Sequence, residues 1–260
     1  MSGWKKNCAG WVRRSPVTKK VRLRPRLVDT MLTIALSKGK MLELTLDVFR
    51  RAGYALDSFS TESRRLVFPC PDIGITFLIV RPTDVPTYVE YGAADVGIVG
   101  KDVLMEQDSD VYEPLDLQFG ACRIAVAALK GQASRDRLSS KIRVATKYPR
   151  ITERYFNQRG VPVEIIKLYG SIELAPLVGL ADRIVDLVET GNTLKAHDLV
   201  EVECIAQSTA RLVVNRASLK LKHAVVTELI KKLRAVSSIP TESQTSVPRK
   251  VRRTVRRTRT

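Results

Sequence analysis

From residue 31 to residue 236, short apolar runs alternate with amphipathic helical stretches, and that alternation leaves few folds open. The apolar run 31–36 ends at Ser37-Lys38-Gly39. Residues 40–52 then place Met41, Leu44, Leu46, Val48 and Phe49 largely on one helical face. The pattern predicts strands at 73–80, 95–99, 122–128, 142–146, 163–168, 184–188 and 206–214. It predicts helices at 84–91 (with Thr83 as N-cap), from 101, at 148–159, at 172–178 and at 217–236. Strands and helices in this order imply an α/β fold whose parallel sheets are covered by helices. Such folds bind ligands at the carboxyl ends of strands. The turns at 37–40 and 191–193 occupy such ends. No period of 20–50 residues recurs, which excludes a repeat array.

Charge divides the chain in another way. The formal net charge is +17 over 260 residues. Residues 1–30 hold nine Lys/Arg against one acid, Asp29. Residues 237–260 hold seven Lys/Arg against one acid, Glu242. That leaves only +3 for the body between them. Neither tail has a helical or alternating apolar period, so both are expected to be disordered and outside the fold. The first lacks the apolar stretch of a secretory signal, and its Arg/Ser content faintly resembles a transit peptide. The preferred reading is a translation start placed too early, with Met31 the true beginning. The last residues are a Pro/Ser/Thr linker followed by an arginine cluster, a composition that binds polyanions non-specifically. Hydrophobic residues make up 44% of the chain, enough to bury a core. No apolar run approaches the roughly 18 residues of a membrane span. Four scattered cysteines without a CxxC pair argue against a zinc site and a disulfide scaffold.

The segment Asp186-Leu-Val-Glu-Thr-Gly-Asn-Thr-Leu194 is chemically the sharpest. A strand delivers two acids, then a hydroxyl–glycine–hydroxyl turn, then a helix start. Glycine allows close backbone approach, and free N–H groups at a helix start attract phosphate. Asp186 and Glu189 would repel phosphate but suit sugar hydroxyls, which donate hydrogen bonds. Acids followed by a phosphate loop fit a phosphorylated ribose. The same residues also suit an Asx/ST turn that caps a helix without a ligand. There is no GxxxxGK[ST], so a P-loop is excluded. Only His197 and His223 are available as histidines, both expected at the surface, and no Cys-His or Ser-His-Asp constellation is visible.

These residues resemble the signature of the ATP phosphoribosyltransferase catalytic subunit family: Glu173-x5-Gly179-x-Ala181-x2-Ile184-x-Asp186-Leu187-x2-Thr190-Gly191-x-Thr193-Leu194. The resemblance continues through Ala35-Leu-Ser-Lys-Gly-Lys40, Arg81-Pro-Thr-Asp-Val-Pro-Thr-Tyr-Val89 and Gly92-Ala-Ala-Asp-Val-Gly-Ile-Val-Gly-Lys-Asp102. It also covers Asp116-Leu-Gln-Phe-Gly-Ala-Cys-Arg123, Val144-Ala-Thr-Lys-Tyr-Pro149 and Tyr169-Gly-Ser-Ile-Glu-Leu-Ala-Pro176. Seven blocks in order are far more specific than any one alone.

The resemblance implies the first step of histidine biosynthesis. N1 of ATP attacks C1 of phosphoribosyl pyrophosphate (PRPP), and pyrophosphate leaves, with a need for Mg²⁺. It implies that Asp186 and Glu189 bind the ribose hydroxyls, and that Thr190, Gly191, Asn192, Thr193 and Leu194 wrap the 5-phosphate. It implies that Lys38, Lys40 and Arg64 face the pyrophosphate or the ATP phosphates. The family commonly has Arg where this chain has Lys40, and lysine lacks the bidentate fork. It implies two α/β domains with a ligand cleft between them, similar to type II periplasmic binding proteins. Residues 31–121 plus 206–236 would form domain I, and 122–205 domain II. The body ends near Val236, as in the short form, which implies a histidyl-tRNA-synthetase-like regulatory subunit in a hetero-octamer, in the cytoplasm. Two other classes compete. A non-catalytic small-anion receptor of the same fold is disfavoured by the acid–TGxT turn. A specific nucleic-acid binder is disfavoured because the charge lies in the tails.

Overall fold

The computed structural model describes residues 31–56, 59, 64–131 and 141–237. The expectations for both basic tails lie outside these residues.

The first strand, β1 (Leu32–Ser37), is buried along nearly its whole length. Helix α1 (Lys40–Arg51) follows and buries Leu42, Thr45, Leu46, Val48 and Phe49. Next come β2 (Val67–Cys70), β3 (Ile75–Val80), α2 (Val85–Glu90), β4 (Val96–Gly100), α3 (Lys101–Gln107) and β5 (Tyr112–Asp116). The chain then builds β6 (Cys122–Leu129), β7 (Ile142–Thr146), α4 (Pro149–Gln158), β8 (Val163–Lys167), α5 (Leu174–Leu177), β9 (Arg183–Val188), α6 (Asn192–Ala196) and β10 (Leu199–Ser208). It returns through β11 (Ala210–Val214) and ends in α7 (Arg216–Leu221) and α8 (His223–Ser237).

Two sheets result. The first has the order β2-β3-β1-β4-β11-β5, and the second β10-β6-β9-β7-β8. Parallel pairing is confined to the centre of the first sheet, where β1 lies between β3 and β4, and to β9, β7 and β8 of the second. The remaining pairs are antiparallel, so both sheets are mixed where the alternation predicted parallel ones. The cause lies in strands that the sequence hid. Prolines interrupt β2 (Pro69) and β5 (Pro114), and both strands are edges, the one place in a sheet where a missing N–H is tolerated. β10 buries little of its middle, so its apolar alternation is weak.

The predicted strand 206–214 is two strands in two sheets. Residues through Ser208 pair with β6, and those from Ala210 pair with β4 and β5. Thr209 alone crosses between sheets, later than the expected return at 206. The predicted strand at 73 starts at Ile75, because Pro71–Ile73 is a 3₁₀ turn closed by left-handed Gly74. Thr83 does not cap α2; its hydroxyl donates to Asp84. The predicted helix 217–236 breaks at Lys222, whose ammonium reaches Asp95 Oδ2 at 2.7 Å and the Met31 carbonyl at 2.8 Å. Asp95 is itself buried and also accepts from Ser218 Oγ and the Thr33 amide. The start of β1 and the final helices are therefore tied together through one carboxylate. α8 completes the core of the first sheet with Val226, Leu229 and Leu233.

Candidate active site

The two sheets are joined by the crossings 117–121 and Thr209, and the sequence motifs converge beside that junction. Ser37 closes β1, with its hydroxyl donating to Ile98 O at 2.9 Å. Gly39 has φ 101°, a left-handed value open to glycine, and swings the chain into α1 with Lys40 as its first residue. On the other sheet, β9 delivers Asp186 and ends before Glu189. Gly191, at φ 78°, then turns the chain into the five-residue α6. Lys40 belongs to the first sheet's layer and Glu189 to the second's.

The structure brings these two together. Lys40 Nζ donates to Glu189 Oε1 at 2.6 Å and Oε2 at 2.9 Å. The side chains are 73% and 57% exposed, so water screens the pair and it contributes only about 0.2–1 kcal/mol. Arg123, in β6, fixes the other side of Glu189. Its Nη1 donates to the Glu189 carbonyl at 3.2 Å, while Nε and Nη2 grip the Glu201 carboxylate. The sequence reading had Arg123 within a matched block but gave it no role; the register that sets Arg123 opposite Val188 supplies one.

Asp186 is half-buried and accepts from the Leu187 amide at 2.8 Å. Burial pushes its carboxyl above the usual range; the Leu187 hydrogen bond and Lys147 oppose the rise, and Glu173 and Asp102 add to it. Thr190, Asn192 and Thr193 are exposed around the turn, with the Asn192 amide 3.4 Å from Thr190 Oγ1. Leu194 differs from the rest of the motif. Its side chain is in the second sheet's core, so only its backbone is available to a ligand. Lys38 is exposed and its amide donates to Val80 O. Arg64 is exposed three positions before β2 and makes no hydrogen bond or ion pair with another described residue. His223 is exposed and His197 half-buried.

A buried polar cluster stands at the junction itself. Asp102, 6% exposed, accepts from Ser208 Oγ at 2.8 Å and from Tyr148 OH at 3.0 Å. The Ser208 hydroxyl also accepts from the Asp102 amide. One side chain from each sheet's layer and one from the crossing strand thus meet in a dry site. Burial and the neighbouring Asp102 carboxylate push the Tyr148 phenol far above its usual range. Gly100 is required here, because a Cβ would stand 2.2 Å from Asp102 Oδ1. Among the described residues no group of three or more His, Cys, Asp or Glu is arranged to hold a metal ion.

Comparison with known proteins identifies the family. The model of the ATP phosphoribosyltransferase family matches residues 81–235. An ATP phosphoribosyltransferase of Geobacter metallireducens is 59% identical over 208 residues, spanning 79% of this chain and 98% of that protein. ATP phosphoribosyltransferase 2 of Geobacter sulfurreducens is 59% identical over 204 residues, 78% of this chain and 96% of its own. Among solved structures, the ATP phosphoribosyl transferase (HisG:HisZ) complex from Thermotoga maritima matches with TM-score 0.70 and 36% identity, covering 80% of this chain and 99% of that one. Tv2483 bound to L-arginine shares the fold alone, with TM-score 0.50 and 15% identity over 81% of this chain and 85% of that one. With family model, close relatives and fold all in agreement over the two-sheet body, the chain belongs to the ATP phosphoribosyltransferase family.

Proposed function

We infer that this protein joins N1 of ATP to C1 of PRPP, giving phosphoribosyl-ATP and pyrophosphate, as a phosphoribosyltransferase of histidine biosynthesis. One observation supports this beyond family membership: a cation from the end of β1 and a carboxylate from the end of β9 meet across the two sheets. A ligand with a sugar and a diphosphate needs both kinds of group in one place. A non-catalytic anion receptor is not favoured by the relatives.

Adenine N1 is a neutral nucleophile, so no strong general base is required. The barrier is charge separation. Positive character grows on the ribose as the C1–O bond breaks, and negative charge grows on the departing pyrophosphate. Fixed cations and donors aimed at that charge supply the stabilisation. In this reading Lys40, Lys38 and Arg64 face the pyrophosphate or the ATP phosphates. Asp186 and Glu189 accept from the ribose hydroxyls. Thr190 and the backbone of Gly191, Asn192, Thr193 and Leu194 surround the 5-phosphate. Mg²⁺, held by the diphosphate of PRPP rather than by a cage of protein ligands, would offset the charge growing on the leaving group. Two layers hinged at two crossings can close and exclude water from a reactive sugar. Residues 31–116 with 210–237, and 122–208, are the units proposed to move.

We further propose a regulatory partner resembling histidyl-tRNA synthetase, in a hetero-octamer of four catalytic and four regulatory chains. The HisG:HisZ complex as a structural neighbour supports a partner of this kind. No described helix is long and apolar enough to cross a membrane, and a cytoplasmic location is proposed. The test is to mix the purified chain with ATP, PRPP and Mg²⁺, with and without such a partner. Formation of phosphoribosyl-ATP and pyrophosphate is expected; neither product under either condition would overturn the reading.

A further inference from the structure

Lys40 and Glu189 are each other's partner, yet each is proposed to hold a different part of PRPP. We propose that this ion pair acts as a gate that favours a ligand carrying an anion and a hydroxyl on neighbouring carbons, and that it weakens the hold on pyrophosphate once the phosphoribosyl group has left. The inference rests on the function proposed above.

The argument is one of exchange. The two side chains touch at 2.6 Å, so a ligand that binds both must part them by offering each a replacement within a short reach. An ammonium has three donors and no acceptor, and an ionised carboxylate only accepts. Lys40 is therefore satisfied by phosphate oxygens and Glu189 by hydroxyl donors. PRPP carries its diphosphate on C1 and a hydroxyl on C2, next to each other. ATP carries its phosphates on C5′, away from the 2′,3′-hydroxyls, and matches the pair less well.

Pyrophosphate offers only half of the exchange. It satisfies Lys40, but it leaves Glu189 without a donor and beside another negative charge. Once phosphoribosyl-ATP has left with its ribose hydroxyls, the carboxylate has no hydroxyl partner. Glu189 then competes with pyrophosphate for Lys40. The same residue that helps to hold the substrate therefore weakens the product's grip. Arg123 holds the Glu189 carbonyl, which keeps the carboxylate within reach of the lysine. Because both side chains are largely exposed, the contest is modest in size and the pair can be changed without disturbing the core.

The experiment is calorimetric binding of Mg–pyrophosphate and of Mg–PRPP to the full chain and to Glu189→Gln, Lys40→Met and the double variant. Glu189→Gln is expected to bind PRPP more weakly but pyrophosphate about two- to five-fold more tightly, the span of an exposed ion pair. The gain for pyrophosphate should vanish when Lys40→Met is also present, because no lysine is left to be freed. Unchanged or weaker pyrophosphate binding by Glu189→Gln overturns the gate. So does a gain of equal size in the Lys40→Met background, which would mean simple repulsion by the carboxylate. A wild-type chain that binds both ligands but never joins PRPP to ATP would sink the proposed function while the affinity comparison still judged the gate. One that binds neither ligand sinks both.

Discussion

Asp186 shows how burial at one residue becomes a pH response. Its carboxyl is raised above the usual range chiefly by desolvation, with the Leu187 hydrogen bond and Lys147 opposing the rise and Glu173 and Asp102 adding repulsion. A carboxyl whose folded pKa is raised binds its proton more tightly in the folded state. Its contribution to stability therefore falls as pH rises from the ordinary carboxylate range through the raised value. Acceptance of ribose hydroxyls improves when the group is ionised, so PRPP use should fail on the acid side of that same window. Replacing Glu173 by Gln removes one repelling charge. The acid limb of kcat/KM for PRPP is expected to move to lower pH, and a pH–rate profile that does not move would separate Asp186 from PRPP binding. Gly191 gives a second prediction at this scale. Its φ of 78° is costly for a β-branched residue, and bulk there blocks close approach of a phosphate. Gly191→Val should raise the PRPP KM at least tenfold while the ATP KM changes little. Steady-state kinetics with each substrate varied decides it. Most of these residues were legible as a motif, since acids, hydroxyls and glycine at fixed spacing state their chemistry directly. The pairing of Lys40 with Glu189 was not, because it joins positions 149 residues apart. Nor was the hold of Arg123 on the Glu189 carbonyl, which depends on strand register.

At the scale of elements, legibility followed burial except at β8, an edge strand without a buried residue that Val163, Ile165 and Ile166 made legible. Strands β1, β3, β4, β6, β7 and β9 read as dense apolar runs because their central positions carry the two cores. β2, β5 and β10 did not, since edge strands take proline and polar residues without penalty. The division at Thr209 was invisible because the last residues of β10 and the whole of β11 read as one run, 206–214; only pairing partners distinguish them. The break at Lys222 was hidden for a similar reason, as the helical period continues across it while the side chain serves Asp95. The packing of α2 on β4 gives this scale its prediction. Gly97 lies in the middle of β4, where a Cβ would stand 2.7 Å from methyl groups of Val85 and Val89 and 3.1 Å from one of Val213. Helix and strand can approach this closely only because no side chain intervenes. Gly97→Ala is expected to destabilise the fold by about 1–3 kcal/mol through overpacking. Urea unfolding should show a lower midpoint with an unchanged slope, and a midpoint equal to wild type would show that the helix shifts freely.

For the whole molecule, charge and core are carried by different stretches of chain. Among the described residues, the buried apolar clusters that close both sheets draw on positions from Leu32 to Leu233. The last described residue, Ser237, is buried at the end of α8 with its hydroxyl donating to Leu233 O at 2.8 Å. Most of the excess charge lies outside that span. Nine Lys/Arg and one acid precede Met31, and seven Lys/Arg and one acid follow Ser237, so trimming both reduces the net charge from +17 to +3. Stability arises from buried apolar area and satisfied polar groups, whereas net charge acts on solubility and non-specific association. The two properties should therefore separate on truncation. Residues 31–237 alone are expected to melt within a few degrees of the full chain and to keep its kcat with ATP and PRPP. The same truncation should abolish retention on an immobilised polyanion at low salt, where the full chain is held and then released as salt rises. Thermal melting, steady-state kinetics and a salt gradient on heparin read the three quantities independently. A truncated chain that unfolds would place part of a tail within the fold, and one that folds without activity would place it within the site. One that still binds the polyanion as tightly would move the basic surface onto the two-sheet body, where Lys38, Lys40 and Arg64, the cations proposed to face substrate phosphates, are exposed.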